Sequence, residues 1–165
     1  MVLDVIKNRR SIRKYTGEPV TDAQIREILE AAFLAPTARN LQECRFVVVT
    51  NREKLQKMAD ANPYAKMTKD CAFAVVVGYE KGVNDPFGIV DCGAAIENML
   101  LQATSMGIGC VWCALMPESD RAQAYSRILE FPENYASVAS VQFGYPAEKR
   151  ETPDRFDEKK VTYIR

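Results

Sequence analysis

Between Arg9 and Lys14 the chain runs Arg-Arg-Ser-Ile-Arg-Lys, four cations and a hydroxyl within six residues. Three of those cations are arginines, whose planar fork matches phosphate oxygens better than the point charge of lysine does. In an extended segment alternate side chains share a face, so Arg9, Ser11 and Arg13 would point the same way. Such a stretch is either a solvated charged loop or a grip on a compact anion such as a phosphomonoester. Across 165 residues, 22 Lys+Arg balance 22 Asp+Glu, so the cationic cluster is a local device. A partner such as nucleic acid or an anionic membrane would call for a broad basic excess, and neither is expected.

The chain contains no histidine. That removes the commonest general base, the Ser-His and Cys-His nucleophile pairs and most zinc sites, so no metal site is expected. An enzyme built this way draws its chemistry from a cofactor. Cys110-Val-Trp-Cys113 has the Cys-x-x-Cys spacing, but it lies in a predicted strand, where residues three apart face opposite sides. The five cysteines are an odd set in mostly apolar surroundings and suit reduced, buried thiols. A further polar group, Thr37, Asn40 and Gln42, sits in the stretch Ala35–Phe46. It is either an ordinary turn or a set of amides and a hydroxyl suited to a flat heterocycle.

The elements that must position these residues follow from periodicity and end signals. A first helix is expected from Val2 to about Arg9, then an extended segment through Tyr15. Thr21 with Gln24 forms a capping box, and Val20 with Ile25 a hydrophobic staple. Ile25, Ile28, Leu29, Ala32 and Phe33 then make a core-facing helical stripe that Pro36 ends. Cys44–Thr50 and Cys71–Tyr79 are apolar, β-branched strands, and Arg52–Ala61 between them is an exposed helix. Asp85 and Pro86 are the expected N-cap and first residue of a long helix to Met106, stopped by Gly107. Its middle is apolar around most of its circumference and needs cover on nearly all sides, from the core or a second subunit. A third strand near Gly109, a helix over Pro117–Phe131 and a fourth strand, Ser137–Tyr145, complete an α/β or α+β chain of about four strands. No Gly-x-Gly-x-x-Gly or Walker loop is present, which argues against Rossmann and P-loop folds. One domain is expected at this length. Asp4 and Lys7 interrupt any leader-like start, and no apolar run nears the ~20 residues a bilayer span needs. A cytoplasmic protein is expected.

Four blocks, in order, resemble the nitroreductase family of FMN-dependent flavoproteins: RRSIRKY (9–15), APTARNLQECRF (35–46), GAAIENMLLQATSMGIGCVW (93–112) and FGYPAEKRETPDRF (143–156). The resemblance spans essentially the whole chain and implies a mostly antiparallel sheet flanked by helices, four strands plus a C-terminal one from the partner subunit. It implies a homodimer holding FMN at the subunit interface, with residues 146–165 wrapping the partner and the KVTYIR end pairing on its sheet edge. By similarity Arg9, Arg10, Ser11 and Arg13 bind FMN from one subunit, with Arg13 near the pyrimidine edge as an electrostatic stabiliser. Pro36, Thr37, Ala38 and Asn40 reach it from the other. Cys113 and Ala114 lie beside the ring, and Arg155 adds a phosphate cation, helped by Lys149 or Arg150. The implied activity is ping-pong hydride transfer through flavin N5, from NAD(P)H to nitroaromatics, quinones or flavins, with no catalytic side chain. The alternative is a non-catalytic FMN-binding or storage module. Two departures from the family pattern stand out: Glu43-Cys44 in place of the usual Pro-Trp, and Arg10 where histidine is frequent.

Overall fold

Seven of the eight residues of β2 (Phe73–Glu80) are buried, the pattern of a strand covered on both faces. A computed structural model describes Met1–Arg165 and shows what covers them. β2 lies inside a four-stranded sheet with β1 (Cys44–Val49), β3 (Gly109–Ala114) and β4 (Tyr135–Gly144), in the order β1-β2-β4-β3. All three pairings are antiparallel, which makes the class α+β. Phe73, Val75, Val77 and Tyr79 pack on one face against α2 (Asp22–Phe33) and α4 (Gly88–Ser105). Ala74 and Val76 face the other way, against α3 (Arg52–Ala61) and α5 (Asp120–Leu129).

The helix ends follow side-chain chemistry. Thr21 and Gln24 form the expected capping box of α2, and Ser119 caps α5 by accepting from the Ala122 N–H. Three expectations differ. Asp85 and Pro86 do not start α4; its first helical residue is Gly88, and no side chain caps it. The Asp85 carboxylate accepts from the Gly82 N–H instead and closes the turn before the helix, the local bond that competes with capping. α3 is half buried rather than exposed, because Leu55, Met58 and Ala59 face the sheet. The first helix is only Asp4–Asn8. The KVTYIR end forms no strand within its own chain, and every residue from Lys149 to Arg165 is exposed.

α4 turns Cys92, Ala95, Ile96, Met99, Leu100 and Ala103 into the core, while Val90 stands exposed. The N-terminal segment is laced to the far side of the sheet. The Ile12 N–H donates to the Cys110 carbonyl at 2.9 Å and the Ala147 N–H to the Lys14 carbonyl at 2.9 Å. This registry buries Ile12 and leaves Ser11 and Arg13 on the opposite side of the segment. It depends on Gly109, where an added Cβ would come within 2.8 Å of the Ile12 side chain. Gly109→Ala is therefore expected to lower stability by about 1–3 kcal/mol through overpacking. Denaturant unfolding checks this, and an unchanged midpoint would show that Ile12 is not the clamp.

Candidate functional site

The extended backbone after α1 (Asp4–Asn8) delivers Arg9, Ser11 and Arg13 to one wall of a cavity of about 650 Å³. The opposite wall comes from the C-terminal segment, through Arg150, Thr152 and Arg155. No hydrophobic residue lines this space, and five of its nine lining residues are arginines. The tail is held where it is by two bonds to the N-terminal region. Arg10 Nε donates to the Glu151 carbonyl at 2.9 Å, and Thr152 Oγ1 to the Lys7 carbonyl at 3.2 Å.

The arginines are not equivalent. Arg9 lies 3.6 Å from the Glu97 carboxylate of α4, and Arg150 lies 3.2 Å from Glu148. Each nitrogen of Arg10 donates to a main-chain carbonyl, those of Lys7, Arg9 and Glu151. Arg10 therefore acts as a clamp between the two walls, a role its side-chain type alone did not reveal. Arg13 and Arg155 have no carboxylate within ion-pairing distance. Glu148 instead accepts from the Arg13 main-chain N–H at 2.6 Å, and that bond holds its carboxyl below the ordinary glutamate value. Lys149 lies outside this cavity and Arg150 inside it. Cys113 is buried in β3 and Ala114 beside it is exposed. Burial pushes the Cys113 thiol up, against an opposing pull from Arg13 and Arg121.

The second group of predicted residues is elsewhere. Pro36, Thr37, Ala38 and Asn40 form the connection between α2 and β1, and none of them lines the arginine cavity. Thr37 instead edges an apolar cavity of about 260 Å³ with Phe33, Cys44 and Phe46. Within one chain, then, the two sets are not brought together. The connection is tightly wound: Arg39, Asn40 and Gln42 all have left-handed backbone, at φ of 55°, 55° and 54°. Non-glycine residues hold that conformation only when surrounding bonds impose it.

Two of the partners in those bonds, Asn84 and Asp91, were not singled out by composition or motif reading. The Ala38 N–H donates to Asp91 Oδ2 of α4 at 2.8 Å, the Gln42 N–H to Thr37 Oγ1 at 3.1 Å, and Arg39 to Asn84 Oδ1 at 2.9 Å. Asn84 Nδ2 in turn donates to Glu43 Oε1 at 2.9 Å and to Asp91 Oδ2 at 3.1 Å. Glu43, Asn84 and Asp91 are all buried. Burial pushes the Asp91 carboxyl up, as does its neighbour Glu43. Burial also works against ionised Glu43, but hydrogen bonds from Asn84 and from the Asp91 carboxyl outweigh it and hold Glu43 below its ordinary value. The two carboxyls bond to one Asn84 amide and their values are driven apart, Asp91 up and Glu43 down, as in closely placed carboxyl pairs, while Glu43 Oε2 is left without a hydrogen-bond partner. An acidic residue inside an apolar run, at Asp91, was the available signal.

The described geometry agrees with what the chain resembles. The model of the Nitroreductase family matches residues 6–63 and 60–145. A Methanothermobacter thermautotrophicus protein provisionally named NADH dehydrogenase/NAD(P)H nitroreductase is 38% identical over 162 residues, 97% of this chain and 85% of its own length. An FMN-dependent nitroreductase of Clostridium difficile superposes with a TM-score of 0.90 at 28% identity, covering 98% of each chain. A provisionally assigned nitroreductase of Desulfovibrio desulfuricans, solved in complex with FMN, gives a TM-score of 0.83 at 27% identity over 98% of this chain and 95% of its own. With its four-stranded antiparallel sheet, its arginine-lined N-terminal segment and this extent of similarity, the chain belongs to the nitroreductase family.

Proposed function

We propose that this chain is an FMN-dependent NAD(P)H oxidoreductase, a homodimer that passes reducing equivalents to flat acceptors such as nitroaromatics, quinones or free flavins. The observation that carries this reading is the arginine cavity: a mononucleotide phosphate is a compact dianion near neutral pH, and Arg13 and Arg155 reach that space without carboxylate partners. Arg9, Ser11, Arg150 and Arg155 would hold the phosphate and ribityl end, and Arg13 would lie toward the pyrimidine edge of the ring. Bound FMN supplies hydride acceptance from the nicotinamide and its return to the second substrate, one open face serving both in turn. Arg13 there favours the reduced, anionic ring over the oxidised one, an electrostatic contribution that needs no proton transfer from protein. The absence of histidine is consistent with that division of labour.

Pro36, Thr37, Ala38 and Asn40 would contact the ring bound by the other copy, with Cys113 and Ala114 beside it. That arrangement accounts for two separate sets of predicted residues in one chain. It also gives a role to Phe156, Val161, Tyr163 and Ile164, which stand exposed on the C-terminal segment and would be covered by the partner. An FMN store without turnover is the second reading.

Anaerobic stopped-flow mixing separates the two. The flavin absorbance is expected to bleach with NADH or NADPH and to recover on adding a quinone; a flavin that never bleaches would leave only storage. Arg13→Ala is expected to weaken FMN binding about 10- to 100-fold, the value of one charge-assisted hydrogen bond, and to slow flavin reduction. Unchanged affinity and rate would remove Arg13 from the site. The loop anchor adds a pH dependence. The raised Asp91 value means that its protonated form stabilises the fold fully below the unfolded value, and that this contribution is lost as pH rises through the folded value. Asp91→Asn mimics the protonated form, so its stability relative to the parent should improve from about pH 4 to about pH 8. A pH-independent difference would contradict the raised Asp91 value.

A further inference from the structure

Beneath the Pro36–Gln42 connection two thiols meet. Cys44 opens β1, Cys92 sits in the second turn of α4, and their Sγ atoms are 3.8 Å apart. Neither is disulfide-bonded. Cys92 is fully enclosed, whereas Cys44 lines the apolar cavity of about 260 Å³ together with Phe33, Thr37, Phe46 and Ala95. Cys44 therefore borders a space of the size of a small reagent, and the Cys92 sulfur lies next to its own. This is the arrangement of an attacking and a resolving thiol, and the two are near van der Waals contact, against about 2.05 Å in a disulfide.

The other three cysteines lack this arrangement. Cys71, Cys110 and Cys113 each contact only a main-chain carbonyl, those of Thr68, Leu100 and Tyr64. Burial pushes Cys71 and Cys110 up to about 12 and raises Cys113 as well. Cys44 and Cys92 instead contact each other, and their mutual hydrogen bond, in which either sulfur can donate, pulls Cys44 down and pushes Cys92 up. Oxidation follows thiolate character and access, and of the five cysteines Cys44 both borders that cavity and has a second thiol beside it.

We propose that Cys44 and Cys92 form a peroxide-oxidisable dithiol, with Cys44 the sulfur attacked and Cys92 the one that resolves, whose disulfide ties the start of β1 to α4 beneath the loop. The Cys44 thiolate attacks a peroxide oxygen; the O–O bond breaks, hydroxide leaves and a sulfenic acid forms. The Cys92 thiol then attacks the Cys44 sulfur; the S–O bond breaks, water leaves and the S–S bond forms. In total two thiols and one hydrogen peroxide give one disulfide and two waters. Each thiol adjoins, in the chain, a carboxyl of the loop anchor, Glu43 beside Cys44 and Asp91 beside Cys92, so the bond would lock the loop's base. The modification itself does not depend on the flavin reading above.

The test treats the purified, reduced, full-length protein with hydrogen peroxide and counts thiols after denaturation, with peptide mapping by mass spectrometry. Free thiols should fall from five to three, with Cys44 linked to Cys92. Cys92→Ser should stop at a dimedone-trappable sulfenic acid on Cys44, and Cys44→Ser should react with neither peroxide nor dimedone. Five surviving thiols, or a link through Cys71, Cys110 or Cys113, would overturn the proposal; the parent protein's map decides even if a variant fails to fold. Because the thiol count needs no cofactor, a colourless protein that still forms the link would count against the flavin reading alone. A turning-over flavoprotein with five unreacted thiols would count against the dithiol alone.

Discussion

Like charges gathered around one cavity are the constraint on which the rest of the structure depends. Arg9, Arg13, Arg150 and Arg155 converge on a space that no hydrophobic side chain enters. Mutual repulsion opposes such a gathering, and it is tolerable where water and salt screen it or where an anion neutralises it. The fold holds the arrangement largely through main-chain bonds, with Glu151 the one acidic residue in the cavity wall. Main-chain bonds of Ile12 and Ala147 lace the N-terminal segment to the sheet and to the start of the tail, and Arg10 spans the two walls through carbonyl acceptors. Glu97 and Glu148 pair only the flanking guanidinium groups, leaving Arg13 and Arg155 for a ligand.

The second constraint is the wound connection between α2 and β1. Three left-handed residues in four positions are not self-supporting, and the buried Glu43–Asn84–Asp91 network supplies the acceptors and donors that hold them. This network also explains the Glu43-Cys44 departure from the usual Pro-Trp. A charged residue enters the core with Asn84 donating to one of its oxygens, and the small thiol after it leaves room for the cavity lined by Phe33 and Phe46. On the proposed reading, that preorganised loop serves the copy opposite, and the chain by itself carries two half-sites.

Much of this was legible in the residues. The strands observed over Cys44–Val49 and Phe73–Glu80 were marked, to within two residues, by apolar, β-branched runs, and the α2 start by its Thr21/Gln24 box. The opposed faces of Cys110 and Cys113 followed from strand pleat alone, and they do pack in different clusters. Convergence of the tail arginines on the opening cluster could be expected only from family resemblance, because it is a contact across some 140 residues that no local pattern encodes. The carboxyl pair and the Cys44–Cys92 contact were expected from neither local pattern nor resemblance. Asp85 misled for a different reason: its side chain had two local acceptor roles open to it, and the turn bond to Gly82 won over the cap.

The claim that the arginines exist for a phosphate is tested most directly by comparing FMN with riboflavin, which carries the same ring and ribityl chain without the phosphate. Titration of flavin-free protein, followed by fluorescence, should show FMN binding at least about 100-fold tighter at low salt, the sum of two or more charge-assisted hydrogen bonds. The gap should narrow as ionic strength rises. Equal affinity for the two flavins, or a difference insensitive to salt, would contradict the account.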